Sequence, residues 1–340
     1  MTPVATSIKK TQSRQAFKAV GAVSPKKTPN HEKMTSKEKI TKRDLQAAYA
    51  HRLRMVNNLS IRRQEPATSK GLKATQEFWD MHPCDGDFES EDLRLRYRYL
   101  KDFFIPSIIE RHVPKGGIVL EIGCGQGADL LLLARNADWV TGVDLSEESV
   151  RRAQEFLSRK GVSNATAGVA NAQDLPFEDT CFDAVYSFGV MHHAPDTQAC
   201  IDEAFRVLKP NGTAVIMLYR LWSPQFLIGK CVRLVTYPLR RPLAALFSHP
   251  MFKESSLVKK LFGTAHAEMV GVPFFRAYSY RKLRIMFEKF KDIKVERYNT
   301  GFARLNLVTP NSPRLQSLWK RLEDATANRL GFFNVIVARK

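Results

Sequence analysis

Along this chain, short apolar runs alternate with segments in which hydrophobic positions recur every three or four residues. Residues 92–112, DLRLRYRYLKDFFIPSIIERH, carry the helical period and are interrupted by Pro106. Strands and helices then take turns: strand 118–122 (IVLEI), helix 126–136, strand 139–143 (WVTGV) and helix 146–160. A strand near 165–170 follows, then strand 182–187 (FDAVYS), helix 196–208 and strand 213–219 (TAVIMLY). Local punctuation agrees with this division. Ser146 ahead of Glu147 and Glu148, and Asp196 ahead of TQACIDEAF, are helix starts, while Asn211-Gly212 marks a turn into a strand. Alternation of this kind predicts an open, parallel α/β sheet with helices on both faces. The rhythm breaks over 220–275 and resumes with helix 279–290, strand 292–298 and strand 332–338. No helical crossover stands out between the last two strands, which predicts an antiparallel pair at the sheet edge.

Charge separates a tail from the body. Residues 1–75 hold seventeen Lys/Arg against four acids, so most of the net charge of +19 lies there. The tail, rich in Ser, Thr, Pro and Lys, has too little apolar surface to offset its ordering entropy, and 1–71 is expected to be mostly disordered. Residues 41–57, TKRDLQAAYAHRLRMVN, suit a short basic helix within it. Three readings of the tail stand: a flexible appendage, an import signal (no acid precedes Glu32), or a tether to nucleic acid or anionic lipid. Beyond it, 72–114 read as an N-terminal helical lid and 115–340 as the main domain. Five scattered cysteines, Cys84, Cys124, Cys181, Cys200 and Cys231, argue for a reducing compartment and against disulfides or zinc. The expected location is cytoplasmic, with organellar import as the alternative. No apolar run is long enough to span a membrane.

The chemistry concentrates at LEIGCGQG, residues 120–127. A glycine-rich turn between strand and helix predicts a ligand lying against bare backbone N–H groups, with no room for a β-carbon at Gly123 or Gly125. The next strand ends at Asp144, where a carboxylate can accept both hydroxyls of a ribose. A nucleoside ligand follows. The segment GCGQGA also satisfies the dinucleotide pattern G-x-G-x-x-A. Glu121, however, would repel a pyrophosphate and suits a ligand carrying an ammonium group.

At this point the sequence resembles the class I S-adenosylmethionine-dependent methyltransferases. VLEIGCGQGADL is similar to their first motif and VTGVDLSEESVRRAQ to their second. VANAQDLPFEDTCFDAVYSFGVMHHAPD and RVLKPNGTAVIMLY resemble the later motifs of the type 11-like subgroup, which includes quinone-biosynthesis and many small-molecule enzymes. The resemblance covers 118–220 continuously and 278–340 more loosely. It implies a doubly wound, Rossmann-like seven-stranded sheet in order 3-2-1-4-5-7-6, with strand 7 antiparallel and a helical insertion after strand 5. It implies S-adenosyl-L-methionine as cofactor, with Glu121 on the methionine ammonium, Gly123 and Gly125 lining the methionine, and Asp144 on the ribose. Leu145 would pack on the adenine, Asn171 would accept from its amino group, and the Ala172 backbone would meet the ring. Family members often carry Asp where this chain has Asn171.

The sulfonium already activates the methyl group, so alignment and water exclusion are the main tasks, with a base needed only for a protonated nucleophile. His192 and His193 are the candidate bases; a packing role for the pair is the competing reading. Phe78, Trp79, His82 and Tyr97 on the lid are candidates to touch ligand, or else anchors of the helix. The basic, apolar insertion 220–275 is expected to cap the acceptor pocket, with peripheral membrane contact through 220–247 as an alternative. The expected partner is a small-molecule acceptor, amphiphilic or acidic, with neither metal nor specific nucleic acid. The rival functions are an RNA methyltransferase using the basic tail and a non-catalytic regulator that binds the same cofactor.

Overall fold

A computed structural model describes residues 70–83, 90–236, 272–302 and 312–340, without the side chains of 229 and 232–236. The basic tail with its 41–57 helix, and most of the 220–275 insertion, lie outside the described residues.

Seven strands form one sheet in the order β3-β2-β1-β4-β5-β7-β6. They are β1 (Ile118–Ile122), β2 (Trp139–Asp144), β3 (Ala165–Val169), β4 (Phe182–Phe188), β5 (Leu208–Tyr219), β6 (Lys291–Tyr298) and β7 (Phe333–Arg339). All neighbouring pairs are parallel except those of β7, which runs antiparallel to both β5 and β6. β1 is buried along its whole length, as a central parallel strand covered on both faces must be. The N-terminal helices are α1 (Lys70–Met81), α2 (Glu91–Lys101) and α3 (Ile105–His112). The helices α4 (Ala128–Leu133), α5 (Glu147–Arg159) and α6 (Thr197–Val207) follow β1, β2 and β4, and α7 (Pro224–Thr236) follows β5. The short α8 (Tyr280–Met286) precedes β6.

Helix starts follow the predicted chemistry. Ser146 caps α5 through the Ser149 N–H, and Asp196 caps α6 through Gln198 and Ala199. The predicted helix 92–112 is two helices. The break falls at 102–104, ahead of Pro106, which occupies the first turn of α3 where its missing N–H costs nothing.

One expectation fails in its reasoning and succeeds in its outcome. An 18-residue helix, α9 (Pro313–Leu330), stands between β6 and β7, where no crossover was expected. The strands are antiparallel nonetheless, because the excursion leaves after Tyr298 and returns at Phe333, and these two residues are register partners. The chain comes back to the end of the sheet that it left, as in a hairpin with a very long loop.

Candidate active site

The turn after β1, the ends of β2 and β3, the segment after β4 and helix α1 line one cleft. Glu121, Gly123, Gly125, Asp144, Leu145, Asn171 and Ala172 all line it, and so does His193.

The glycine-rich turn is built differently from expectation. Its amides are not bare. Gly123 and Cys124 both donate to the Val143 carbonyl, at 2.7 and 3.0 Å, and Gly127 donates to Cys124. The Gly125 N–H goes to Asp144 Oδ2 at 2.9 Å. Four amides of the turn, those of Gly123, Cys124, Gly125 and Gly127, are therefore engaged within the protein. Gly123 is also required for a different reason than ligand space. Its φ is +79°, and a Cβ there would lie 2.0 Å from Val190 Cγ2, so the loop after β4 already occupies that position.

Asp144, half-buried at the end of β2, ties the turn to the next helix: Oδ2 accepts from Gly125 and Oδ1 accepts from Ser146 N–H at 2.9 Å. Each oxygen keeps a lone pair for a further donor. Burial raises the Asp144 pKa, against the pull of three backbone donors, Ser146, Gly125 and Leu145.

Glu121 is 3% exposed, and its Oε2 has no hydrogen-bond partner among the described residues. Burial pushes its pKa well up, Asp129 adds to the rise, and Arg98 opposes it. A buried carboxylate oxygen left unpaired in a cleft is costly unless a cation arrives to pair with it. An α-ammonium group meets that need, so the residues present fit an amino-acid-bearing nucleoside.

Behind Glu121 lies a cluster that sequence reasoning missed. Asp129, 2% exposed at the start of α4, accepts a two-nitrogen grip from Arg98 and a bond from the Tyr186 hydroxyl at 3.1 Å. The Tyr99 hydroxyl lies 2.9 Å from the Ala128 carbonyl and 3.1 Å from Asp129 Oδ1. Arg94 donates to the Gln126 carbonyl at 3.2 Å. These contacts fasten α2 to the underside of the turn, and Arg98 itself lines the cleft.

The two histidines part company. His192 is fully buried, does not line the cleft, and packs against Tyr219 with ring centroids 3.7 Å apart. Burial, then its neighbour His193, hold its pKa well below the ordinary value, so it is a neutral packing residue. His193 lines the cleft, and its Nδ1 lies 2.8 Å from the Phe274 carbonyl. A carbonyl only accepts, so Nδ1 carries the proton and Nε2 is left as the basic nitrogen.

Asn171 Oδ1 accepts from Gln173 N–H at 3.0 Å in a local turn, so one of its lone pairs is already engaged. Of the lid aromatics, Trp79 lines the cleft with its ring centroid 5.6 Å from that of His193. Phe78 is buried in the core and stacks on the exposed His82, and Tyr97 lies under Lys101; none of the three lines the cleft. Among the described residues no group of three His, Cys, Asp or Glu could hold a metal ion, and no helix is long and apolar enough to cross a membrane.

Residues 114–258 match a family model described as a methyltransferase domain. The 27-O-demethylrifamycin SV methyltransferase of Amycolatopsis mediterranei is 37% identical over 99 residues, 28% of this chain and 36% of that one. Cycloartenol-C-24-methyltransferase 1 of Oryza sativa is 33% identical over 138 residues, 40% and 38% of the two chains. The 2-methyl-6-phytyl-1,4-hydroquinone methyltransferase of Synechocystis is 34% identical over 141 residues, 41% and 43%. The chain therefore matches less than half the length of each of these relatives. Residues 114–258 thus match a methyltransferase domain, and the sheet order around them is the one that the resemblance to the class I S-adenosylmethionine-dependent methyltransferases implies.

Proposed function

We propose that this protein transfers a methyl group from S-adenosylmethionine to a small-molecule acceptor. The observation that carries the reading is the unpaired, buried Glu121 oxygen beside a turn four of whose amides are engaged within the protein. Such a site selects an ammonium over a pyrophosphate. Asp144 receives the ribose hydroxyls on its remaining lone pairs, with Leu145, Asn171 and Ala172 along the base. The bound sulfonium supplies an activated methyl group.

The chain's own residues then have three tasks. Glu121 and Asp144 fix the two ends of the nucleoside, which sets the direction of the methyl group. Trp79, Phe188 and Val190 give the cleft apolar walls that exclude water near the reacting centre. His193, its tautomer set by the Phe274 carbonyl, accepts the proton released when an O–H, N–H or acidic C–H acceptor attacks. The relatives are named for small-molecule acceptors, which supports the same class here.

The test is an acceptor screen that follows labelled methyl groups from the cofactor into cell extract, with the wild type and His193→Ala side by side. A labelled small molecule is expected with the wild type. His193→Ala should turn over about 10²–10⁴-fold more slowly and lose the rise in rate with pH that an imidazole base imposes. An unchanged rate and pH profile would remove His193 from proton transfer, and labelling of RNA alone would replace the small-molecule reading.

A further inference from the structure

Helix α1 is fixed to the cleft at two points. One stripe of it, Leu72, Thr75 and Trp79, forms part of the cleft wall, and Trp79 meets the edge of His193. The adjacent Asp80 turns away to the start of α5. Its Oδ1 accepts the Ser146 hydroxyl at 2.6 Å, with the Glu148 N–H at 3.5 Å. Ser146 is fully buried and already serves two other partners: its Oγ accepts the Ser149 N–H, and its own N–H donates to Asp144 Oδ1.

A hydroxyl that caps a helix does not need a second carboxylate to do so; the Ser149 bond is sufficient. What the Asp80 bond adds is a link from α1 to the strand end that carries Asp144. Contacts run without a gap from Asp144 through Ser146 and Asp80 to Trp79 and His193. We propose that Asp80 is a positioning residue: it latches α1 over the cleft, keeping Trp79 seated against His193 and water away from the methyl-transfer side. The role rests on the methyltransferase reading given above. Asp80 touches neither ligand nor reacting atoms, so its loss should open the roof while leaving the nucleoside contacts in place.

The experiment uses the full chain, with S-adenosylhomocysteine as the probe. Acrylamide quenching of Trp79, taken as the difference between each protein and its Trp79→Phe counterpart, reports whether the roof is closed. Calorimetry gives the affinity. In Asp80→Ala, quenching of Trp79 should rise by at least about twofold, as expected of a locally opened helix. Affinity for S-adenosylhomocysteine should stay near the wild-type value. Asp80→Asn should restore the shielding, because its amide oxygen still accepts the Ser146 hydroxyl, and a residue needed only for its charge would not be rescued this way. If Asp80→Ala fails to fold, Ser146→Gly removes the same donor with a residue that helix caps tolerate, and should expose Trp79 likewise. Unchanged shielding in the variant that folds overturns the latch. Failure of the wild type to bind S-adenosylhomocysteine, with shielding still dependent on Asp80, would sink the methyltransferase reading and leave the latch standing.

Discussion

Glu121 pairs a strong desolvation penalty with a missing partner, and this sets a pH dependence with a definite sign. Its pKa is raised in the free protein, first by burial and then by Asp129. A bound ammonium favours the ionised carboxylate, so ligand affinity should be full above the raised pKa and fall as pH drops through it. Binding just below that pKa should release a proton, measurable by calorimetry in buffers of different ionisation enthalpy. Glu121→Gln should bind more weakly and lose the pH dependence; a variant that keeps it would assign the titration to another group. Glu121 and Asp144 were legible in the sequence because each sits at a fixed offset from the glycine-rich turn. Arg98 was not. Its partner Asp129 is 31 positions away, and within RLRYRY it reads as one more surface base. The one hint was Asp129 itself, an acid opening the otherwise apolar helix ADLLLL.

At the scale of elements, the central strands were readable because each contains a short apolar run, and the ends of β1, β2 and β4 match within a residue; β5 starts at Leu208, five residues ahead of the predicted start, so Asn211-Gly212 lies within it. Helix α9 was not readable, since Leu315 and Leu318 remain exposed and its apolar stripe is diluted by charge. The turn after β1 yields a sharper test. Gly123→Ala must adopt a left-handed φ and displace Val190, for a cost of at least about 1–2 kcal/mol from the backbone alone. Val190→Ala removes the two methyl groups nearest the new Cβ, so the double variant should be less destabilised than the sum of the single ones, as judged by urea unfolding. Strict additivity would mean that the turn moves away from Val190 instead.

Across the whole molecule, the N-terminal helices are part of the site and not an accessory to it. Arg98 and Asp129, with side chains 11% and 1% exposed, join α2 to the turn through a buried ion pair. Arg98→Met leaves Asp129 buried beside Glu121 without its counter-charge, and should destabilise the fold by about 3–5 kcal/mol. Adding Asp129→Asn should recover part of that loss; no recovery would mean that Arg98 acts by packing. The full account then rests on what the cleft binds. Calorimetric titration of S-adenosylhomocysteine and of NAD into the wild type and Asp144→Ala asks this most directly. Saturable binding of S-adenosylhomocysteine with no heat from NAD is expected, and Asp144→Ala should weaken it by about 10–100-fold, the worth of hydrogen bonds to a charged group. Unaltered affinity in Asp144→Ala, or tight binding of NAD by the wild type, would contradict it.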